Sequence, residues 1–429
     1  MSETLKERPK MRSPMHRRDF LKWSGFSLAA SFPAFLQKTA AALPVLVDGE
    51  SSKVLVVIQL SGGNDGLSTV VPYSDPAYGR ARGTTRIDEK SVIRIDERIG
   101  LHPNLLDIKE LFDSGEAAVV QGASYPNPTR SHFEAMDVWH TADRAGARRG
   151  TGWLGRAIDS ACGNKATPLF AVNLGGKLPL ALLGETSKPV AFTNPGAFQW
   201  RGDRAERSVF ERLNRPEPEM TGTAGPVQPL DYLRRVAADA DASSDTIRKA
   251  TQAYNAVASY PAGNRFAEDL RLVAAMIAAR LETRVYYVSL SGFDTHANQR
   301  ATHDNLLRAF STAIGAFLKD LRTQKLLDRV LVMTFSEFGR RVKENGSGGT
   351  DHGVAGPMFF FGGALRGGLH GAHPSLEHLV DGDLAMTTDF RRVYATVLDG
   401  WLRVPSEKIL GEKWTPLDLL SSGERVRAF

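Results

Sequence analysis

The pattern of apolar positions divides the chain into buried strands and amphipathic helices. Val54-Leu55-Val56-Val57-Ile58-Gln59-Leu60 is an apolar, β-branched run without alternation, stopped by Ser61-Gly62-Gly63-Asn64-Asp65-Gly66. A run with no polar face predicts a strand covered on both sides, as in a parallel sheet. Residues 117–121, 284–290 and 329–335 predict three more strands. The 117–121 run leads into the turn Pro126-Asn127-Pro128-Thr129, after which a helix is expected to start near Ser131. Phe266, Leu270, Val273, Ile277 and Leu281 form one helical stripe, and Leu307, Phe310, Ile314, Phe317 and Leu321 form another. Alternating helix and strand from 263 to 335 is the arithmetic of βαβ units. A last helix is expected to run from an N-cap at Thr387 or Thr388 to Leu402. The expected fold is therefore α/β, a mostly parallel sheet sandwiched by helices, in a single domain over 50–424. Residues 195–262 interrupt this pattern. Arg201 to Arg215 is strongly charged and Pro216 to Pro229 is rich in Pro, Gly and Thr, which predicts a helical or irregular cap or insertion.

The N-terminus carries a different signal. Arg17-Arg18-Asp19-Phe20-Leu21-Lys22 precedes a weakly apolar run from Trp23 to Leu36 and then Ala40-Ala41-Ala42. Charged segment, apolar segment and small-residue cleavage site follow in the secretory order, and the paired arginines mark the twin-arginine variant. Residues 1–42 are thus expected to be a twin-arginine signal peptide, with the twin-arginine translocase as export partner and a folded protein delivered to the periplasm or beyond. The apolar run is too short for a permanent span, which needs about 20 residues.

Charge changes its meaning once this segment is set aside. The whole chain is net +6, but residues 1–42 hold eight Lys/Arg against three Asp/Glu. The remainder has 46 basic and 45 acidic residues, so nothing in the balance suggests nucleic-acid binding. The lone Cys162 excludes an internal disulfide.

Ligands of an open parallel sheet bind beyond the C-terminal ends of its strands. The polar residues found there are Asn64 and Asp65, then Thr129, Arg130, Ser131 and His132, then Asp294 and His296, then Ser336, Glu337, Arg340 and Arg341, with Asp351-His352 following. Oxygen and imidazole donors suit Zn²⁺, Mn²⁺ or Mg²⁺, and the lack of Cys ligands favours a catalytic over a structural site. A hydroxyl at a helix start, such as Ser131, either caps the helix or acts as a nucleophile beside the anion-stabilising N–H groups. The sequence after residue 42 has no Gly-x-Ser-x-Gly, His-Glu-x-x-His, P-loop or dinucleotide fingerprint.

Six stretches carry a resemblance. They are Leu60–Gly66, Leu101-His102-Pro103-Asn104-Leu105, Arg130-Ser131-His132-Phe133, Trp153-Leu154-Gly155-Arg156, Gly292–His296, and Ser336–Arg340 with Asp351-His352-Gly353. In this order they resemble the domain-of-unknown-function family 1501, whose members are exported and are placed with alkaline phosphatases and sulfatases. The resemblance implies an alkaline-phosphatase-like core and a one- or two-metal site. It implies Asp65, Asp294, His296, Glu337 and His352 as metal ligands and Ser131 as nucleophile, with Thr129 as the alternate. The Asp294-x-His296 spacing is tighter than the usual Asp-x-x-x-His, and Pro126 stands where a sulfatase would have Cys or Ser.

The expected activity is hydrolysis or transfer of a phosphate or sulfate ester, with a divalent metal (Zn, Mn, Mg or Ca) as cofactor. Arg130 and Arg340 are then expected to hold the non-bridging oxygens. The expected partner is a small anionic ester or an envelope component. The competing expectation is a non-catalytic binding or assembly protein of the envelope that keeps the fold.

Overall fold

The computed structural model describes residues 53–144, 150–163, 167–187, 189–196, 202–213 and 242–421. The expected signal peptide lies outside these, as does 214–241 of the expected insertion. Among the described residues no helix is long and apolar enough to cross a membrane.

Nine of the described strands form one sheet. In chain order they are β1 (Val54–Ser61), β2 (Ala117–Ser124), β3 (Ala171–Leu174), β4 (Val190–Phe192), β5 (Val285–Ser291), β6 (Val330–Phe335), β7 (Gly356–Phe361), β8 (Gly368–His370) and β9 (Thr388–Asp389). The order across the sheet is β8-β2-β7-β6-β1-β5-β3-β4, with β9 also paired to β2. All pairings are parallel except those of β7, which runs antiparallel to both β2 and β6. The mostly parallel α/β sandwich read from the sequence is thus the observed fold.

Alternation along each strand builds two cores. Val56, Ile58 and Leu60 of β1 face one layer, where they meet α5 (Arg265–Ala278) and α6 (Gln299–Thr323) through Leu270, Val273, Phe310 and Phe317. Leu55 and Val57 face the other, against α2 (His132–Thr141), α3 (Trp153–Cys162) and α7 (Phe390–Ala395) through Trp139, Trp153 and Tyr394. Both faces of the central strands are therefore apolar, which is why β1 reads as an unbroken hydrophobic run. Further helices include α1 (Leu106–Asp113) and α4 (Arg204–Leu213).

Two boundaries differ from expectation. The last helix is capped by Asp389, whose side chain accepts the Arg391 N–H at 3.0 Å, and not by Thr387 or Thr388. Thr388 belongs to β9, and the Thr387 hydroxyl donates to Ala372 O at 2.7 Å. After Ala395 the helix widens into a π-turn over Thr396–Leu402. The described part of the 195–262 region contains α4 and a helical stretch over 242–252. Its end is fastened to α6 by the buried Asp320, which accepts from Tyr254 Oη (2.6 Å), Tyr260 Oη (2.9 Å) and Val257 N (3.1 Å).

Candidate metal centre

The segments leaving β1, β2, β5 and β6 converge at one edge of the sheet. Gly62 ends β1 at φ 118°, and a Cβ there would lie 2.4 Å from Asp294 N, so only glycine lets these segments touch. Arg340 ties them together from below. It is buried, and its guanidinium donates to Gly63 O (2.7 Å), Thr350 O (2.8 Å), Phe293 O (3.0 Å), Gly62 O and Asp294 Oδ1 (2.7 Å).

Three imidazoles surround the Asp294 carboxylate. His352 Nε2 lies 3.2 Å and His296 Nε2 3.1 Å from Oδ1, while His132 Nε2 lies 3.5 Å from Oδ2. The Nε2 atoms of His296 and His352 are 2.9 Å apart. Among the described residues, His132, Asp294 and His352 form the group whose ligand atoms all lie within 4.8 Å of one another. His132 enters from the first position of α2, Asp294 and His296 from the turn after β5, and His352 from the loop between β6 and β7.

The other nitrogen of each ring meets an outer acceptor. His132 Nδ1 is 2.8 Å from Glu337 Oε1, His296 Nδ1 is 3.2 Å from Asp351 Oδ1, and His352 Nδ1 is 2.8 Å from Arg130 O. All three partners are acceptors, so each ring can donate through Nδ1, and each turns its Nε2 toward the Asp294 carboxylate. Outer carboxylates and carbonyls that orient histidines in this way are characteristic of metal sites. The Phe338 ring packs beside His132 and His352, with centroids 4.9 and 4.6 Å away, and limits their rotation. The Nε2 of His132 is buried and has no hydrogen-bond partner, a cost that a bound cation would remove. Burial works to raise the Asp294 carboxyl, but hydrogen bonds from Arg340 and His352 and the charges of Arg340 and His296 outweigh it and hold it down at about 2. The donor set of three imidazoles and a carboxylate suits a divalent transition metal.

Of the residues singled out in the sequence, Asp294, His296 and His352 thus come together. Glu337 lies one shell out. It is buried, accepts the Gly62 N–H at 2.9 Å as well as contacting His132, and serves to hold that ring. Asp65 stands apart, bound by Arg82, Ser68 and Gln299. Of the two arginines expected to face an anion, Arg340 is buried on backbone carbonyls and Asp294, and the exposed Arg130 pairs with the buried Asp383. His132 is the member of the cluster that the expected ligand set lacks. Its signal was present, since it follows directly on the helix-start Ser131.

Ser131 is the N-cap of α2, and its side chain makes no capping hydrogen bond. Thr129 differs: its hydroxyl donates to Glu134 Oε2 at 2.8 Å and accepts the Ser131 N–H at 3.1 Å.

Comparison with known proteins places this site in a family. Residues 116–411 match the family described as protein of unknown function, DUF1501, and the chain belongs to it. No curated protein matches the sequence. Solved structures that superpose include a sulfatase from Pseudoalteromonas sp. (TM-score 0.35, 10% identity, covering 89% of this chain and 72% of that one). A lipoteichoic acid synthase from Listeria monocytogenes superposes with TM-score 0.34 and 11% identity, over 80% of this chain and 76% of that one. The C-terminal periplasmic domain of EcEptC from Escherichia coli, in complex with Zn, gives 0.34 and 7%, over 73% and 74%. Likenesses of this size carry no statement about activity.

Proposed function

We propose that this chain is an exported, metal-dependent hydrolase or transferase of phosphate or sulfate esters. The observation that carries the reading is the inward convergence of three imidazole Nε2 atoms on the Asp294 carboxylate, each ring held by an outer acceptor. His132, Asp294, His296 and His352 would hold the ion. A bound divalent ion supplies Lewis-acid polarisation of an ester oxygen.

The chain's own groups would do the rest. Ser131 offers an uncapped hydroxyl beside the ligand His132, and so is favoured over the doubly engaged Thr129 as nucleophile. The first-turn N–H groups of α2 lack intrahelical partners and suit the oxygens of an anion. Glu337 and Asp351 would keep His132 and His296 in their metal-binding tautomer. The source of the substrate is the envelope, reached through the twin-arginine translocase. An Arg17→Lys/Arg18→Lys pair is expected to leave the protein in the cytoplasm.

The test is elemental analysis of the purified full chain, together with turnover of 4-nitrophenyl phosphate and 4-nitrophenyl sulfate. Metal lost in an Asp294→Asn/His352→Ala variant, and turnover abolished in Ser131→Ala with metal retained, are the expected results. A wild type that retains no divalent metal ends the reading. The pairing of Arg130 with Asp383 and the burial of Arg340 favour a second reading, a metal-bound envelope binding protein without turnover. In that case metal is retained and neither ester is cleaved.

A further inference from the structure

We infer that the centre is mononuclear, because the Arg82 guanidinium occupies the place at Asp65 where a second cation would have to bind. The inference rests on the metal reading proposed above. Asp65 is close enough to raise the question. β1 and β5 pair in parallel to their ends, with Ser61 opposite Ser291, and Asp65 and Asp294 follow these strands. One side chain bridges the two segments: Gln299 donates to Asp65 Oδ2 at 2.5 Å and accepts from Thr295 Oγ1 at 3.1 Å, the residue between Asp294 and His296.

A metal ion is surrounded by lone pairs. Asp65 is surrounded by hydrogens. Arg82 Nη1 donates to Oδ2 at 2.6 Å and Nη2 to Oδ1 at 3.0 Å, while Ser68 Oγ donates to Oδ2 at 2.7 Å. The guanidinium itself is fully engaged: Nε donates to Val342 O (2.6 Å), Nη2 also to Arg341 O (2.9 Å), and Nη1 also to Thr85 Oγ1 (3.4 Å). All five of its N–H donors are thus accounted for. Arg82 and Asp65 are both buried, so neither can swing out to solvent without breaking this set. A divalent ion at Asp65 would have to displace a guanidinium whose charge already neutralises the carboxylate. Among the described residues, the potential ligand atoms that gather within 4.8 Å of one another are those of His132, Asp294 and His352.

The experiment is titration of the chelator-stripped full chain with Zn²⁺ by calorimetry, with elemental analysis of the saturated protein after desalting. One equivalent is expected for the wild type. Removing Asp65 alone strands Arg82, so the diagnostic variant is Asp65→Asn/Arg82→Met, which removes both charges. It is expected to keep one equivalent, with Kd within about threefold of wild type, whereas Asp294→Asn loses it. Two equivalents in the wild type overturn the mononuclear inference and leave the metal reading intact. Loss of the single equivalent in a double variant that still melts cooperatively overturns the reading that Arg82 keeps Asp65 out of metal binding. No equivalents in the wild type overturn both.

Discussion

Asp65 and Asp294 follow neighbouring parallel strands, yet their surroundings are opposites. Asp65 is buried and faces donors on every side: a bidentate guanidinium, a hydroxyl and a carboxamide. Asp294 is about half exposed, with side-chain relative exposure 47%, and apart from one Arg340 N–H it faces imidazole nitrogens. The first arrangement is complete as it stands and does structural work. The second gathers imidazole nitrogens round a carboxylate, the donor set proposed above to hold a cation. A carboxylate after a strand therefore says little by itself; whether its neighbours donate or accept decides what it is for.

The largest expected effect breaks the Asp65 side of this contrast. Asp65→Ala leaves the Arg82 guanidinium buried without its counter-charge, which should cost about 3–5 kcal/mol in stability. Urea unfolding followed by circular dichroism measures it. Adding Arg82→Met should recover most of the loss, because removing both charges avoids the unpaired ion. A loss below about 1 kcal/mol for Asp65→Ala would mean that the pair is not held as tightly as its geometry states.

Glu337→Gln sharpens the Asp294 side. Gln keeps the shape and one acceptor for the Gly62 N–H and the His132 ring, while losing the negative charge. Outer carboxylates of this kind typically contribute 10–100-fold to metal affinity, or about 1.4–2.7 kcal/mol. Competition with a chromogenic chelator reads the change. Asp351→Asn is expected to cost less, under about tenfold, since Asp351 lies at the exposed rim and screening weakens its hold on His296. Equal affinities in all three proteins would deny the outer residues an orienting role.

Much of this contrast could not be read from the chain. The strands and the helical stripes were legible because burial on both faces of the sheet leaves a one-dimensional trace: β1 is apolar throughout and α6 repeats at helical spacing. Asp294, His296 and His352 were legible because they crowd just beyond strand ends. What escaped depends on partners far away in sequence. Asp65 meets Arg82 from the excursion between β1 and β2, and Arg130 meets Asp383 across 253 positions. Nothing local distinguishes a carboxylate that will receive a guanidinium from one that will receive a metal. His132 was overshadowed by Ser131 because a helix-start hydroxyl has a chemistry of its own. The cap of α7 was misplaced for a related reason. Thr387 and Thr388 are good capping residues whose groups are spent elsewhere, on Ala372 O and on the pairing with β2, which leaves the cap to Asp389.

The smallest expected effect is in the acid limb of stability. Burial pushes the Asp65 carboxyl up, but the charge and hydrogen bonds of Arg82, with help from His303 and Ser68, prevail and hold it well below the usual carboxylate range. A depressed folded-state pKa means that the unfolded chain takes up the proton first. The stabilisation is therefore fully present above the ordinary Asp value of about 3.9 and is lost as pH falls below it. For one such group the loss between about pH 5 and pH 3 is about 1 kcal/mol. Asp65→Asn/Arg82→Met lacks the group, so its stability relative to wild type should rise by that amount over the interval, as read by urea midpoints at fixed ionic strength. Asp294 carries a depressed carboxyl as well, but it remains in both proteins and cancels in the difference. A difference that stays flat across the interval would place the acid sensitivity elsewhere and show that Arg82 does not hold Asp65 ionised.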